Sequence, residues 1–132
     1  MNNEVEKSLI TAKRCDEEAP EKFLVAWKQG VNKVGHQYFD IDASVSVDEA
    51  ISREALKPNI EAISRNFGVL SRGEQALIAL MCAFYCPAEG QKLLDRTFQS
   101  SFVEAIAVMD WTCQKNYADL CAYYTRWKDG ER

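Results

Sequence analysis

Residues 71–86, SRGEQALIALMCAFYC, decide the fold. Ser71 followed three residues later by Glu74 has the spacing of a capping box, in which each side chain bonds the other's backbone N–H at the start of a helix. Behind that start come Leu77, Ile78, Leu80, Met81 and Phe84, with no polar face between them. A helix that is apolar nearly all round belongs in the middle of a bundle. The apolar run 76–86 is the longest in the chain, yet it is about half of the roughly 20 residues that a membrane-spanning helix needs. It reads as a buried helix, and no membrane association is expected.

Helical punctuation continues on both sides. Pro87 opens a short helix with Leu93 and Leu94. Ser101 and Glu104 repeat the capping-box spacing ahead of Phe102, Val103, Ile106, Val108, Met109 and Trp111. Residues 76–86 and 102–113 are therefore expected to be the most central. A last helix, about 116–128, carries Tyr117, Leu120, Cys121, Tyr124 and Trp127, with Gly130 as its stop. Toward the N-terminus, Gly68 fits a left-handed stop to a helix over 58–67, and Ser46 with Glu49 starts one running to Leu56. Residues 3–17 form a polar helix. Pro20 suits the first turn of a second helix holding Phe23, Leu24 and Trp27, which Gly30 ends or weakens.

One stretch departs from the helical rhythm. In residues 39–48, FDIDASVSVD, the apolar Phe39, Ile41, Ala43, Val45 and Val47 alternate with polar residues, the period of a half-buried strand. No second strand of similar quality is visible, and a lone strand cannot satisfy its own backbone. The segment is then an ordered loop, or it pairs with something else. The expectation is an all-α fold: an irregular single-domain bundle of six or seven helices over 1–132, with one extended segment near 39–47.

The 132 residues carry 47% apolar residues and a formal net charge of −4, with a sequence pI near 5.1. An acidic surface disfavours nucleic acid and anionic membranes, both of which attract basic proteins. The first ten residues hold no export signal, and five cysteines, Cys15, Cys82, Cys86, Cys113 and Cys121, read as free thiols in a reducing cytoplasm. Cys82 with Cys86, and Cys113 with Cys121, share helix faces. They lack the close C-x-x-C spacing of metal sites, so core packing is the preferred reading over a thiol-based metal or redox centre. His36 is the only histidine, which excludes a di-iron bundle and a His-Glu-x-x-His zinc protease. Residues 68–75, GVLSRGEQ, have the glycine spacing of a phosphate loop but place Glu74 and Gln75 where Lys and Ser/Thr belong. Residues 40–51 resemble a calcium loop only in Asp40, Asp42 and Ser44.

Three functional readings follow. The leading one is a non-enzymatic protein–protein interaction module, an adaptor, inhibitor or regulatory subunit, with no cofactor or metal. Its contacts would run through Phe39, Ile41 and Val45 by adding a strand to a partner or to a second copy, and through Tyr123 as an exposed aromatic. The second is a DNA-associated regulator using a helix-turn-helix-like segment at 58–80. Against it, Glu74 falls on a core position and Arg72 is the only early basic residue. The third is the thiol-based protein.

Overall fold

A computed structural model describes residues 3–40, 46–98 and 101–124, with side chains described from Glu18 onward, Arg53 and Glu54 excepted. The elements run in chain order as α1 (Asn3–Val34), β1 (Phe39–Asp40), β2 (Lys57–Pro58), α2 (Ile60–Asn66), α3 (Arg72–Tyr85), α4 (Pro87–Phe98), α5 (Phe102–Val108) and α6 (Trp111–Tyr123). Short 3₁₀ turns fill several of the connections. The protein is all-α, with a two-stranded ribbon as the one piece of sheet among the described residues. Among those residues no helix is long and apolar enough to cross a membrane.

The core is built on α3. Its capping box is complete: Ser71 Oγ accepts from the Glu74 N–H at 3.2 Å, and Glu74 Oε1 accepts from the Ser71 N–H at 3.2 Å. From Gln75 to Cys82 every residue is buried, so the helix has no solvent face over two turns. The Gln75 amide donates to the Phe67 carbonyl at 2.8 Å, which satisfies both buried groups. Glu74 and Gln75, the two residues that break the phosphate-loop pattern, thus each have a structural partner. α3 packs chiefly on α4, α1 chiefly on α6, and α3 also touches α1, α5 and α6.

α1 and α6 run antiparallel. Lys33 meets Asp110 at 3.3 Å, Asn116 donates to the Ala26 carbonyl at 2.8 Å, and the Lys22 ammonium lies 5.3 Å from the Tyr123 ring centroid. Gly30 sits at this crossing, where a Cβ would stand 2.8 Å from Asn116 Oδ1 and from Met81. It lets the helices approach and does not end α1. The true stop is Gly35, at φ 119°, whose N–H returns to the Val31 carbonyl at 2.9 Å. Nor does Pro20 begin a helix: α1 runs through it. An interior proline removes one ladder bond at a cost of about 3 kcal/mol. The stripe Ala19, Phe23, Trp27, Val31 and Val34, all buried, supplies the packing that offsets it.

Several other expectations are corrected. Ser46 and Glu49 do not start a helix to Leu56. Val47–Glu49 and Arg53–Leu56 are separate 3₁₀ turns, and Ser46 makes no side-chain cap. Gly68 is not a left-handed stop but lies inside the 3₁₀ turn Phe67–Val69. Residues 102–113 are not one central helix. Asp110 accepts from the Cys113 N–H at 2.8 Å and starts α6 afresh, so α5 is a short helix with Ala105 as its buried residue and Val103 76% exposed. α6 therefore begins at Trp111, before the expected 116, and residues 125–132, with Trp127 and Gly130, lie outside the described residues.

The ribbon explains the alternating segment in part. Phe39 pairs with Pro58 and Asp40 with Lys57, antiparallel. The second strand is two residues long and contains proline, so it carries no alternation to be seen in the sequence.

The α3–α4 crossing yields a prediction. A Cβ on Gly90 would lie 2.6 Å from Ala83 Cβ and 2.7 Å from its Cα and N. Gly90→Ala gains about 1 kcal/mol in helix propensity. It must also displace the backbone of α3, and overpacking of this kind costs about 1–3 kcal/mol. The net cost of up to about 2 kcal/mol should lower the melting temperature, by up to about 8 °C, in circular dichroism. A raised midpoint contradicts the close crossing.

Candidate functional site

Where α3, α4, α5 and α6 meet, they leave an open groove of about 440 Å³. Leu80, Ala83 and Phe84 of α3 form its floor, Pro87, Gln91 and Leu94 of α4 one wall, and Phe102, Tyr117 and Tyr124 the other. The aromatic wall is continuous. Phe84 and Tyr124 have centroids 4.9 Å apart, Phe84 and Tyr117 6.3 Å, and Phe102 and Tyr117 5.9 Å in an edge-on arrangement. Spacings of 4.5–7 Å are those of favourable aromatic pairs. Phe102 is held at the first turn of α5 by the Ser101 cap, which accepts from the Glu104 N–H at 3.1 Å, and is 48% exposed. In a chain that is 27% charged, no charged residue lines this groove among the described residues. Burial, together with contact to the Cys121 thiol, raises the Tyr117 hydroxyl above its ordinary value, so it stays neutral.

A smaller recess of about 280 Å³ lies between α1 and α6, where Trp111, 73% exposed, stands beside Lys33 and Lys115. Its charges are already paired, Lys33 with Asp110 and Lys115 with Asp119 at 3.0 Å. The Asp110 carboxyl is held below its ordinary value, first by the Cys113 N–H and then by Lys33. The Asn116 amide oxygen has no hydrogen-bond partner among the described residues and is turned toward Gly30 rather than outward.

The residues singled out in the sequence fall elsewhere. Phe39 is 4% exposed and lies edge-on to Trp27 at 6.0 Å, so its side chain belongs to the core. Ile41 and Val45 lie outside the described residues. Tyr123 is half-buried against the core beneath Lys22, while its neighbour Tyr124 and, at the other end of α6, Trp111 are exposed. The groove residues Phe102, Tyr117 and Tyr124 show in the sequence only as a surplus of aromatics toward the C-terminus. The break at Met109–Asp110, which sets α5 apart from α6, was the missing signal.

The four described cysteines do not gather into one site. Among the described residues no group of three or more His, Cys, Asp or Glu could hold a metal. Cys82 and Cys113 are buried, Cys86 is half-buried and Cys121 is exposed. Burial pushes the Cys82 thiol up to about 12 and the Cys113 thiol up to about 11, the latter helped by Asp110. Thiolates are the reactive form. Alkylation of the native protein near neutral pH should therefore label Cys121 fast, Cys86 slowly, and Cys82 and Cys113 only after denaturation. Peptide mapping that finds Cys82 or Cys113 labelled natively would contradict this packing.

No protein-family model matches the chain, and no curated protein or solved structure matches it either.

Proposed function

We propose that the chain is a non-enzymatic protein–protein interaction module and that its contact surface is the groove between α3 and α6. The observation that carries this reading is an aromatic groove without charge on an otherwise acidic protein. Tyrosine and phenylalanine in a preformed recess bury much area at little entropic cost, which is how interface anchors work. Burial of the Cys82 and Cys113 thiols suits a cytoplasmic setting.

The nucleic-acid reading of 58–80 loses support from the same geometry. A recognition helix needs an exposed polar face, whereas α3 is buried all round from its fourth residue. Arg72, the early basic residue, stays exposed but is held by its own chain, paired with Glu104 at 3.1 Å and lying 5.3 Å from the Phe98 ring centroid.

The test is paired affinity capture from the native cell with tagged wild type, Gln91→Glu and Phe102→Asp. Each substitution places a charge in the groove. Both variants, folded by circular dichroism, should lose the binding companions that wild type retains. An identical set of companions for all three sinks the reading.

A further inference from the structure

We infer that α5 is a lid on the groove: it swings out as a unit between two anchors, Phe98 and Met109, and carries Phe102 out of the aromatic wall. The fold supplies the hinges. Ser101 before the helix and Met109 after it both have extended backbone, at ψ 105° and 140°. Phe98 is 0% and Met109 4% exposed, so the core holds the chain on either side of the piece that moves. The consequence for binding rests on the reading of the groove as a contact surface, whereas the opening of α5 does not.

What holds α5 down is slight. A helix of seven residues does not persist in water on its own, so α5 depends on what it touches. Ala105 is its one buried residue, whereas α3 buries every residue from Gln75 to Cys82. Ile106 and Val108 are half-buried against the core, and Val103 faces solvent. Arg72 of α3 meets Glu104 at 3.1 Å, and the Gln114 amide of α6 donates to the Ile106 carbonyl at 3.0 Å. Both members of the ion pair are exposed, and such a pair is weak and screened by salt. Few buried apolar residues and exposed polar ties mark a segment that opens well below the cost of global unfolding. α2 is equally short, but it lines no part of the groove. With α5 down, Phe102 completes the wall at 5.9 Å from Tyr117. With α5 out, the floor of Leu80, Ala83 and Phe84 is uncovered on that side, and the groove admits an occupant bulkier than its closed volume of about 440 Å³ allows.

Native-state amide hydrogen exchange of the full chain, without a companion, tests the lid across a series of low denaturant concentrations. Amides of 105–109 should exchange at least about a hundredfold faster than those of 77–82, with one shared opening free energy. Their rates should rise little with denaturant, because the opening exposes little surface, while those of 77–82 rise steeply. Arg72→Gln removes the far end of the ion pair without touching α5. It should speed exchange at 105–109 a further two- to fivefold, about the worth of an exposed pair, and Glu104→Gln should do the same. Exchange at 105–109 with the rate and denaturant slope of 77–82 overturns the lid, as do values that step along α5, which mean fraying from one end. Unchanged exchange in Arg72→Gln overturns the ion pair as its latch. An identical set of companions in the capture experiment would remove the contact surface and leave the lid standing.

Discussion

Replacing Trp27 with alanine should lower the unfolding free energy by about 4–8 kcal/mol, a large share of the 5–15 kcal/mol typical of a domain. Trp27 is 0% exposed and touches four parts of the fold. It stacks on Phe23 at 5.8 Å, meets Phe39 of the ribbon at 6.0 Å, and meets Phe84 and Tyr85 of α3 at 6.4 and 5.2 Å. Its indole N–H also donates to the Leu56 carbonyl at 2.9 Å in a buried setting. Removing the ring leaves a cavity worth about 3–5 kcal/mol. Removing the donor adds about 1–3 kcal/mol for an orphaned carbonyl. Trp27→Phe keeps a six-membered ring and leaves a smaller cavity but still loses the donor, so it should cost less than alanine, about 2–4 kcal/mol. Denaturant titration followed by circular dichroism measures both. An alanine variant within about 1 kcal/mol of wild type, the change of an average substitution, would contradict this packing.

Leu77→Asp should abolish cooperative folding, and Ile106→Asp should not. The sequence alone makes the two equal, as centres of two apolar helices. In the structure Leu77 is 0% exposed in the middle of α3, with buried neighbours on both sides along the helix. A carboxylate there has no partner, and its burial costs more than the protein's net stability. Ile106 is only half-buried, on a short helix that has one buried residue. A carboxylate there can reach water, so the expected cost is about 1–3 kcal/mol and the transition stays cooperative. Equal unfolding of both variants by thermal melt would restore 102–113 as a second centre.

The residues explain why some of this was legible and some not. The capping box at Ser71 and the apolar run behind it are local signals, and α3 formed where they put it. Gly30 and Gly35 could not be ranked locally. One is set by a helix crossing it, through Asn116 and Met81, and the other by a positive φ. Asp110 gives no visible break in the sequence because the apolar residues on either side of it read as a single helix, although aspartate is a strong N-cap. The alternation at 39–47 suggested an exposed edge. Phe39 instead packs on Trp27, and its partner strand, Lys57–Pro58, is too short to show a period. The groove could not be seen at all from one helix at a time, since its walls come from four.

Amide hydrogen exchange, compared for the protein alone and in complex with a captured companion, tests most directly that α3–α6 carry the contact surface. The predicted result is slowing confined to backbone amides within 80–94 and 102–124, lost in Gln91→Glu. Slowing at the ribbon residues 39–40 and 57–58, or no slowing in any segment, would contradict it.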